Sequence, residues 1–164
     1  MSLSIIYARS ENHCIGNLGK VPWNLPDESK SFYRLTQGKA IIMGRRTYED
    51  HRSQLPGRLN IVLSSDPSYR TVPGIRCLTS LHDALVLARD YSEEYFIIGG
   101  TSLIVDVFDQ AQTVYETVVQ AIVAGDTFLP EMDFSGWTTE VLLSRPVDDR
   151  HPFSFTVQKH IRQT

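Results

Sequence analysis

Two adjacent carboxylates at the start of a predicted helix are well placed to move a proton. Asp27 and Glu28 follow Pro26, which suits the first helical position because that residue's missing N–H has no intrahelical partner to lose. Glu28, Phe32 and Leu35 recur at i, i+4 and i+7 and share one face, whereas Asp27 is turned about 100° toward solvent. Burial on the apolar face would raise the pKa of Glu28 toward neutrality, as a general acid requires, whereas the helix N-terminus favours the anion. We expect burial to prevail only if a polar substrate group shares the pocket. The alternative is that both carboxylates only compensate the helix dipole.

Glycine ends two predicted strands immediately before helices, at Gly44 and at Gly99-Gly100. Glycine lets the main chain approach a ligand closely, and a helix N-terminus offers unpaired N–H groups and positive potential. Two such junctions on one sheet suit a ligand with separated phosphates, such as a dinucleotide, although each glycine could simply end its strand. Neither junction matches G-x-G-x-x-G or G-x-x-x-x-G-K-[ST], which excludes a standard Rossmann or P-loop site.

Basic and hydroxyl side chains after the first of these junctions favour NADP over NAD. The residues that could hold a ribose 2′-phosphate are Arg45, Arg46, Ser64 and Ser65. The planar guanidinium group suits this task because it binds phosphate through two parallel hydrogen bonds.

Three further side chains have both a functional and an ordinary interpretation. Arg58 follows a Pro-Gly turn and could bind a carboxylate through two hydrogen bonds, or could simply be solvated. Thr117 lies within a predicted strand, where β-propensity alone explains a threonine. Trp23 could cover a pocket or anchor a loop. The five histidines are dispersed without the spacing of metal ligands, so we expect no metal site.

The elements that must position these residues alternate between strands and helices. This alternation predicts an α/β fold with a mostly parallel sheet covered on both faces, and its ligand crevice at the carboxyl ends of the strands. We find no repeat or linker and predict a single domain over residues 1–164. Strands are predicted at residues 3–8, 39–43, 60–63, 75–78, 94–98, 113–119, 138–144 and 153–160, the last two antiparallel, and helices at 26–36, 45–49, 81–89 and 101–108.

The composition is that of an ordinary globular protein. The chain has 164 residues, 41% hydrophobic and 21% charged, with a formal net charge of −3, which argues against nucleic acid or an anionic membrane as partner. Cys14 and Cys77 lack a C-x-x-C pattern and are expected to be free thiols. No signal-peptide-like or membrane-length apolar run is present, so we expect a cytoplasmic protein.

Seven segments together resemble the dihydrofolate reductase family in order and spacing, over nearly the whole chain. The segments are Ile15-Gly16, Val21–Pro26, Ile42–Glu49, Leu55–Arg58, Leu63–Ser65, Ile97–Gly100 and Gly125–Thr127. The resemblance implies an eight-stranded, mostly parallel sheet with an antiparallel C-terminal edge strand and about four helices. It also implies that the protein reduces 7,8-dihydrofolate to tetrahydrofolate with NADPH, by hydride transfer to pterin C6 and protonation at N5. A monomer is expected by default.

The resemblance also implies roles for individual residues. Glu28, Trp23 and Thr117 take the catalytic positions, Arg58 pairs with the carboxylate of the substrate's glutamate tail, and Asp126 braces a mobile loop over the nicotinamide. Substrate contacts are expected from Ile6, Tyr7, Glu28, Ser29, Phe32, His51, Leu55, Arg58, Ile98 and Thr117. Cofactor contacts are expected from Ala8, Ile15, Gly16, Asn17, Gly19, Lys20, Val21, Gly44, Arg45, Arg46, Thr47, Leu63, Ser64, Ser65, Ile98, Gly99, Gly100, Thr101, Ser102, Leu103, Ile104 and Thr127. A cis peptide is expected at Gly99-Gly100.

Several residues depart from the family pattern. Ile104 replaces a tyrosine beside the nicotinamide, and Ser102 replaces a basic cofactor contact. Ser29 and His51 stand where apolar residues line the pocket, and Tyr7 replaces a smaller residue. These departures predict an active enzyme with altered antifolate sensitivity. The alternatives are a related pterin reductase of the dihydromethanopterin type and a non-catalytic NADPH- or pterin-binding module.

Overall fold

The computed structural model describes residues 2–18, 21–51 and 54–164, in which we number ten strands and four helices in chain order. The strands are β1 (Ser2–Ser10), β2 (Cys14–Gly16), β3 (Ala40–Gly44), β4 (Leu59–Leu63), β5 (Arg76–Leu78), β6 (Glu94–Gly99), β7 (Thr113–Val119), β8 (Thr127–Phe128), β9 (Trp137–Arg145) and β10 (Phe155–Arg162). The helices are α1 (Pro26–Thr36), α2 (Arg45–His51), α3 (Leu81–Tyr91) and α4 (Thr101–Val107), and a 3₁₀ turn at Phe108–Gln110 follows α4.

The main sheet has eight strands in the order β5-β4-β3-β6-β1-β7-β10-β9. β3, β4, β5 and β6 pair in parallel with their neighbours, and β1 pairs in parallel with β6. β10 runs antiparallel to both β7 and β9, so the last two strands form the antiparallel end of the sheet. Parallel neighbours need crossover connections, which is why helices alternate with these strands. The predicted fold class is confirmed.

A second, two-stranded sheet of β2 and β8 was not predicted from the sequence. β2 has three residues and β8 has two, and the two strands pair antiparallel with an irregular register. Gly125, just before β8, packs so closely on Cys14 and the Gly16 carbonyl that a Cβ there would overlap both. Strands this short carry too little alternation to detect in a sequence, because their pairing is set by contacts with distant segments.

The chain divides into two compact units, each described by itself. The first unit comprises Met1–Ile5 and Leu35–Ala111. Its strands are apolar runs with buried side chains, including Ile42, Ile61 and Phe96, as expected of a parallel sheet covered on both faces. α3 begins as predicted, with the Ser80 hydroxyl accepting a hydrogen bond from the Asp83 N–H at 3.2 Å.

The second unit comprises Ile6–Arg34 and Gln112–Thr164. Its core cluster contains the residues that lead into α1 and residues from the strands β7 and β10. The members are Trp23, Leu25, Val119, Phe155 and Val157. Because Leu25 is almost completely buried, this cluster sets where α1 begins.

Within the described residues, no helix is both long enough and apolar enough to cross a membrane.

Candidate active site

Glu28 lies on the partly buried face of α1, together with Phe32 and Leu35, while Lys30 and Arg34 are exposed. Burial raises the pKa of the Glu28 carboxyl from its ordinary value of 4.5 to about 7. Desolvation therefore outweighs the attraction of the helix N-terminus for the anion. The raised pKa was expected only with a polar substrate group in the pocket, yet burial alone raises it here. Glu28 is a carboxyl group that both holds and releases a proton near neutral pH.

Asp27 is held by ion pairs rather than left in solvent. Its carboxylate lies 3.2 Å from Nε of Arg145, and its main-chain N–H donates to Nε2 of His151 at 3.2 Å. The two carboxylates on adjacent residues thus have different surroundings, as expected, but Asp27 has partners that come from a distant part of the sequence: the cation Arg145 and the hydrogen-bond acceptor His151. The sequence carried no signal for these partners, because they lie 118 and 124 residues away.

Trp23 precedes α1 and is 8% exposed within the core cluster of the second unit. Its indole Nε1 is buried and has no hydrogen-bond partner among the described residues. A buried donor without a partner is costly, so this N–H suits a polar ligand atom or a bound water. An open groove of about 610 Å³ lies beside it, lined by Asn17, Leu18, Val21, Pro22, Trp23 and Asn24.

The loop that precedes this groove is braced as expected. The main-chain N–H of Leu18 donates to Oδ2 of Asp126 at 3.0 Å, and the Asp126 N–H donates to the Gly16 carbonyl at 3.1 Å. Among the predicted cofactor contacts of this region, Ile15 and Gly16 are partly buried, and Asn17, Val21 and Thr127 are exposed. Gly19 and Lys20 lie outside the described residues.

Thr117 and Ala8 face the core cluster of the second unit, whereas Tyr7 faces the other side of the sheet. Thr117 is buried opposite Val157, a member of that cluster. The Tyr7 hydroxyl donates instead to Oε2 of Glu116 at 2.7 Å. Because side chains alternate along a strand, the Tyr7 side chain does not lie on the Thr117 face. A substrate contact of Tyr7 on that face would have to come from its main chain.

A buried polar network surrounds Glu116 on this opposite face. Arg9 Nε and His160 Nε2 lie 2.9 and 3.1 Å from the two Glu116 oxygens. Although burial raises the pKa of Glu116, hydrogen bonds from His160, Arg9 and Tyr7 outweigh it and lower the pKa to about 2. Burial and the Glu116 carboxylate in turn raise the pKa of the Tyr7 hydroxyl above its usual range.

The two glycine junctions of the first unit lie side by side. A Cβ on Gly44 would be 3.7 Å from the Gly100 nitrogen, and a Cβ on Gly99 would be 3.0 Å from Oγ1 of Thr47. Gly99 has a φ of +145°, and the Gly99-Gly100 peptide is cis, as the family resemblance implies. The Thr101 hydroxyl at the start of α4 is buried without a hydrogen-bond partner among the described residues. Main chain without side chains at the start of α2 and α4 lies beside this hydroxyl, and the combination suits a polar ligand.

The predicted phosphate-binding residues have mixed surroundings. Arg45 is exposed, lies 3.2 Å from Oε2 of Glu49 and stacks on the Tyr69 ring at 4.2 Å. The buried Ser64 hydroxyl accepts a hydrogen bond from the Asp66 N–H at 3.2 Å. Arg46 and Ser65 are exposed.

Arg58 is buried, not a solvated turn arginine. Its Nε donates to Oγ1 of Thr36 at 2.8 Å, and its Nη1 donates to the Pro56 carbonyl. Asn60 holds the same turn by accepting from the Leu55 N–H at 2.9 Å. A guanidinium group oriented in this way has little rotational freedom left to lose when it binds a carboxylate.

The remaining predicted contacts are distributed between strand ends and helices. Ile6 and Ile104 are buried, Leu63, Ile98 and Leu103 are partly buried, and Ser29 and Ser102 are exposed. The side chain of His51 lies outside the described part of the chain.

The eight-stranded, mostly parallel sheet with helices at its glycine junctions defines a protein of the α/β class. The sequence model of the dihydrofolate reductase family matches residues 2–162. The chain belongs to the dihydrofolate reductase family.

Relatives and a solved structure are similar over almost the full length. The type 3 dihydrofolate reductase of Salmonella typhimurium is 36% identical over 154 residues, covering 94% of each chain. The dihydrofolate reductase of Bacillus subtilis (strain 168) is 35% identical, covering 93% of this chain and 90% of the relative. The structure of dihydrofolate reductase from Enterococcus faecalis, complexed with NADP(H) and RAB-propyl, has a TM-score of 0.92 at 30% identity, covering 99% of this chain and 97% of that one.

Proposed function

We propose that this protein reduces 7,8-dihydrofolate to 5,6,7,8-tetrahydrofolate with NADPH. The observation that carries the proposal is the buried carboxyl of Glu28, whose pKa of about 7 suits proton transfer at neutral pH. Membership of the dihydrofolate reductase family, and a similar enzyme solved with NADP(H), support the reaction and the cofactor. A pterin reductase of the dihydromethanopterin type and a non-catalytic module are not favoured by these relatives.

The glycine junctions of the first unit fit the proposed cofactor. Gly44, Gly99 and Gly100 present main chain without side chains where α2 and α4 begin. The Thr101 hydroxyl, which has no hydrogen-bond partner among the described residues, offers a hydrogen bond to a phosphate oxygen. Arg45 and Arg46 supply positive charge for the 2′-phosphate. When bound, NADPH supplies the hydride that reduces pterin C6.

Glu28 holds the pterin and the proton in this proposal. Its carboxyl hydrogen-bonds the polar edge of the ring, and because the group is about half protonated near pH 7, it provides a proton for N5, directly or through one water. The buried Trp23 N–H orients that water or the ring, and the Thr117 hydroxyl holds the Glu28 carboxylate and the ring. Phe32 packs on the pterin face.

Arg58 binds the α-carboxylate of the substrate's glutamate tail in this proposal. Its guanidinium group is already oriented by Thr36 and Pro56, so its hydrogen bonds to a carboxylate are worth about 1.5–3 kcal/mol.

The proposal also covers partners and location. The protein is a cytoplasmic monomer whose partners are dihydrofolate and antifolate-type small molecules, and it does not bind nucleic acid. The formal net charge of −3 and the free thiols Cys14 and Cys77 support this assignment. The exposed Ser29 and the buried Ile104 support an altered response to diaminopyrimidine antifolates. Ordinary inhibition by trimethoprim-like diaminopyrimidines would contradict the altered response.

Steady-state turnover tests the proposed reaction. The purified protein is mixed with NADPH and dihydrofolate, and the loss of reduced nicotinamide absorbance is followed, with dihydromethanopterin and NADH as competing substrates in parallel. We expect oxidation that requires dihydrofolate and prefers NADPH to NADH. Tight binding of both ligands without turnover would instead support the non-catalytic module, and a preference for dihydromethanopterin would support the other reductase.

A further inference from the structure

His151 is a fully buried histidine on the connection between β9 and β10. Its Nε2 accepts a hydrogen bond from the main-chain N–H of Asp27, 3.2 Å away. That N–H belongs to the first turn of α1, where N–H groups have no acceptor within the helix. His151 therefore caps the N-terminus of α1, a role that a local Ser, Thr or Asp side chain commonly fills.

Asp148 determines which ring nitrogen of His151 carries the proton. Its Oδ1 lies 2.7 Å from His151 Nδ1, and hydrogen bonds from His151 and from the Arg150 N–H hold the pKa of Asp148 below its ordinary value. The Asp148 carboxylate accepts a hydrogen bond from a protonated Nδ1, which leaves a lone pair on Nε2 to accept a hydrogen bond from the Asp27 N–H. An imidazolium, protonated on both nitrogens, has no acceptor to offer here.

The same connection also holds the Asp27 side chain. The Asp27 carboxylate lies 3.2 Å from Arg145 Nε and 3.8 Å from Arg150 Nη2. Asp148 and His151 exchange both main-chain hydrogen bonds, at 3.0 and 3.1 Å, so the turn that presents the imidazole is itself closed. The charged groups facing His151 are thus Asp27 on α1 and Asp148 on its own turn, and Arg145 and Arg150 pair with the Asp27 carboxylate.

We propose that His151, oriented by Asp148, is a positioning residue that keeps the first turn of α1 closed and thereby keeps the Glu28 carboxyl out of water. Glu28 directly follows the residue whose N–H is held, so loosening that bond exposes the carboxyl to solvent. The importance of His151 for catalysis rests on the proposed function, whereas its effect on the burial of Glu28 does not.

Carbon NMR of the labelled Glu28 carboxyl, titrated in the free protein, tests the proposal without any turnover. His151→Phe keeps an aromatic ring but removes the acceptor, and we expect the pKa of Glu28 to fall by about one unit toward its ordinary value as water reaches it. His151→Gln places a carbonyl oxygen near the position of Nε2 and should restore the pKa of the parent protein. In single-turnover assays near pH 7, the Phe variant should transfer hydride about fivefold more slowly, because less of Glu28 is protonated.

Ser80→Ala is the matched control. It also removes a side-chain acceptor from a helix N-terminus, that of α3, which bears none of the predicted site residues. It should lower the melting temperature and leave the pKa of Glu28 unchanged. An unchanged pKa of Glu28 in His151→Phe, or an equal fall in Ser80→Ala, would overturn the positioning role.

If His151→Phe does not fold, the pKa of Glu28 is measured in Asp148→Asn instead. A smaller fall in the pKa of Glu28 supports the proposal and an unchanged pKa overturns it. A parent protein that does not oxidise NADPH with dihydrofolate would refute the proposed function alone, since the Glu28 titration needs no substrate.

Discussion

Glu28→Gln should stabilise the protein at alkaline pH and abolish most of its activity. The parent carboxyl titrates at about 7 in the folded protein against 4.5 when unfolded. Its stabilising contribution is therefore complete below about pH 4.5, decreases up to about pH 7 and is constant above that, because only the folded chain retains the proton in this interval. The difference corresponds to about 3 kcal/mol in the free energy of unfolding. Glutamine carries no charge at any pH and does not show this loss.

Urea denaturation at about pH 4 and about pH 8 measures this difference directly. From about pH 4 to about pH 8, the free energy of unfolding of Glu28→Gln should rise by up to about 3 kcal/mol relative to that of the parent. Any cost of burying the amide cancels because it is the same at both pH values. Asp27→Asn is the control, since it removes an ion pair with Arg145 and should lose about 0.2–1 kcal/mol at about pH 8. Hydride transfer in Glu28→Gln should fall about a hundredfold or more near pH 7. An equal effect of Glu28→Gln on stability at both pH values would refute the assignment of a raised pKa.

Three further changes have expected outcomes of different kinds. Arg58→Ala should raise the KM for dihydrofolate about 10- to 100-fold, with a smaller effect on the KM for NADPH, because a charge-assisted pair is lost. Equal effects on both KM values would contradict the assignment. Thr36→Val, which removes the acceptor of Arg58 Nε, should raise the KM for dihydrofolate less. Gly125→Ala should destabilise the protein by about 1–3 kcal/mol in urea denaturation, because a Cβ there overlaps the Cys14 sulfur, and unchanged stability would show that the β2–β8 sheet adapts freely. Glu116→Gln should remove up to about 3 kcal/mol from the free energy of unfolding above about pH 4.5, because the pKa of Glu116 is about 2 in the folded protein. In the parent, the stabilisation by the Glu116 carboxylate is lost as the pH falls from about 4.5 to about 2. A difference in stability between parent and variant that stays constant over this range would refute the lowered pKa of Glu116.

The helix that carries Glu28 was predictable because its signals are local. Pro26 at the first position and the spacing of Glu28, Phe32 and Leu35 define both the start of α1 and its buried face. The strands of the main sheet were predicted to within two residues at each end, since each is an apolar run bounded by turns or glycine. The same spacing showed that burial acts to raise the pKa of Glu28, but not that burial prevails over the helix N-terminus on its own.

The partners of Asp27 could not be predicted in this way. His151 and Arg145 approach it from the other end of the sequence, and neither type nor spacing marks them as neighbours of α1. The interpretation of Asp27 as a solvated carboxylate failed because helical periodicity describes one helix and not what packs against it.

The buried network around Glu116 is a second example of this limit. Tyr7 was expected among the substrate contacts from the family resemblance, and its hydroxyl bonds Glu116 on the face opposite Thr117. Side-chain alternation along β1 places Ile6 and Tyr7 on opposite faces of the sheet. Only the pairing of strands shows that the Tyr7 face is the one that bears Glu116 and His160. The single domain over residues 1–164 and the individual contacts to cofactor and substrate stay predictions.

The pH dependence of hydride transfer tests the central claim most directly. NADPH and dihydrofolate are bound to the protein, and the first turnover is followed by stopped flow across the neutral range, with deuterated NADPH to identify the hydride step. We predict an isotope effect and a rate that decreases about tenfold per pH unit above about pH 7, where Glu28 loses its proton. An isotope-sensitive rate that is independent of pH between about 5 and 9, or one unchanged in Glu28→Gln, would contradict the assignment of Glu28 as the proton donor.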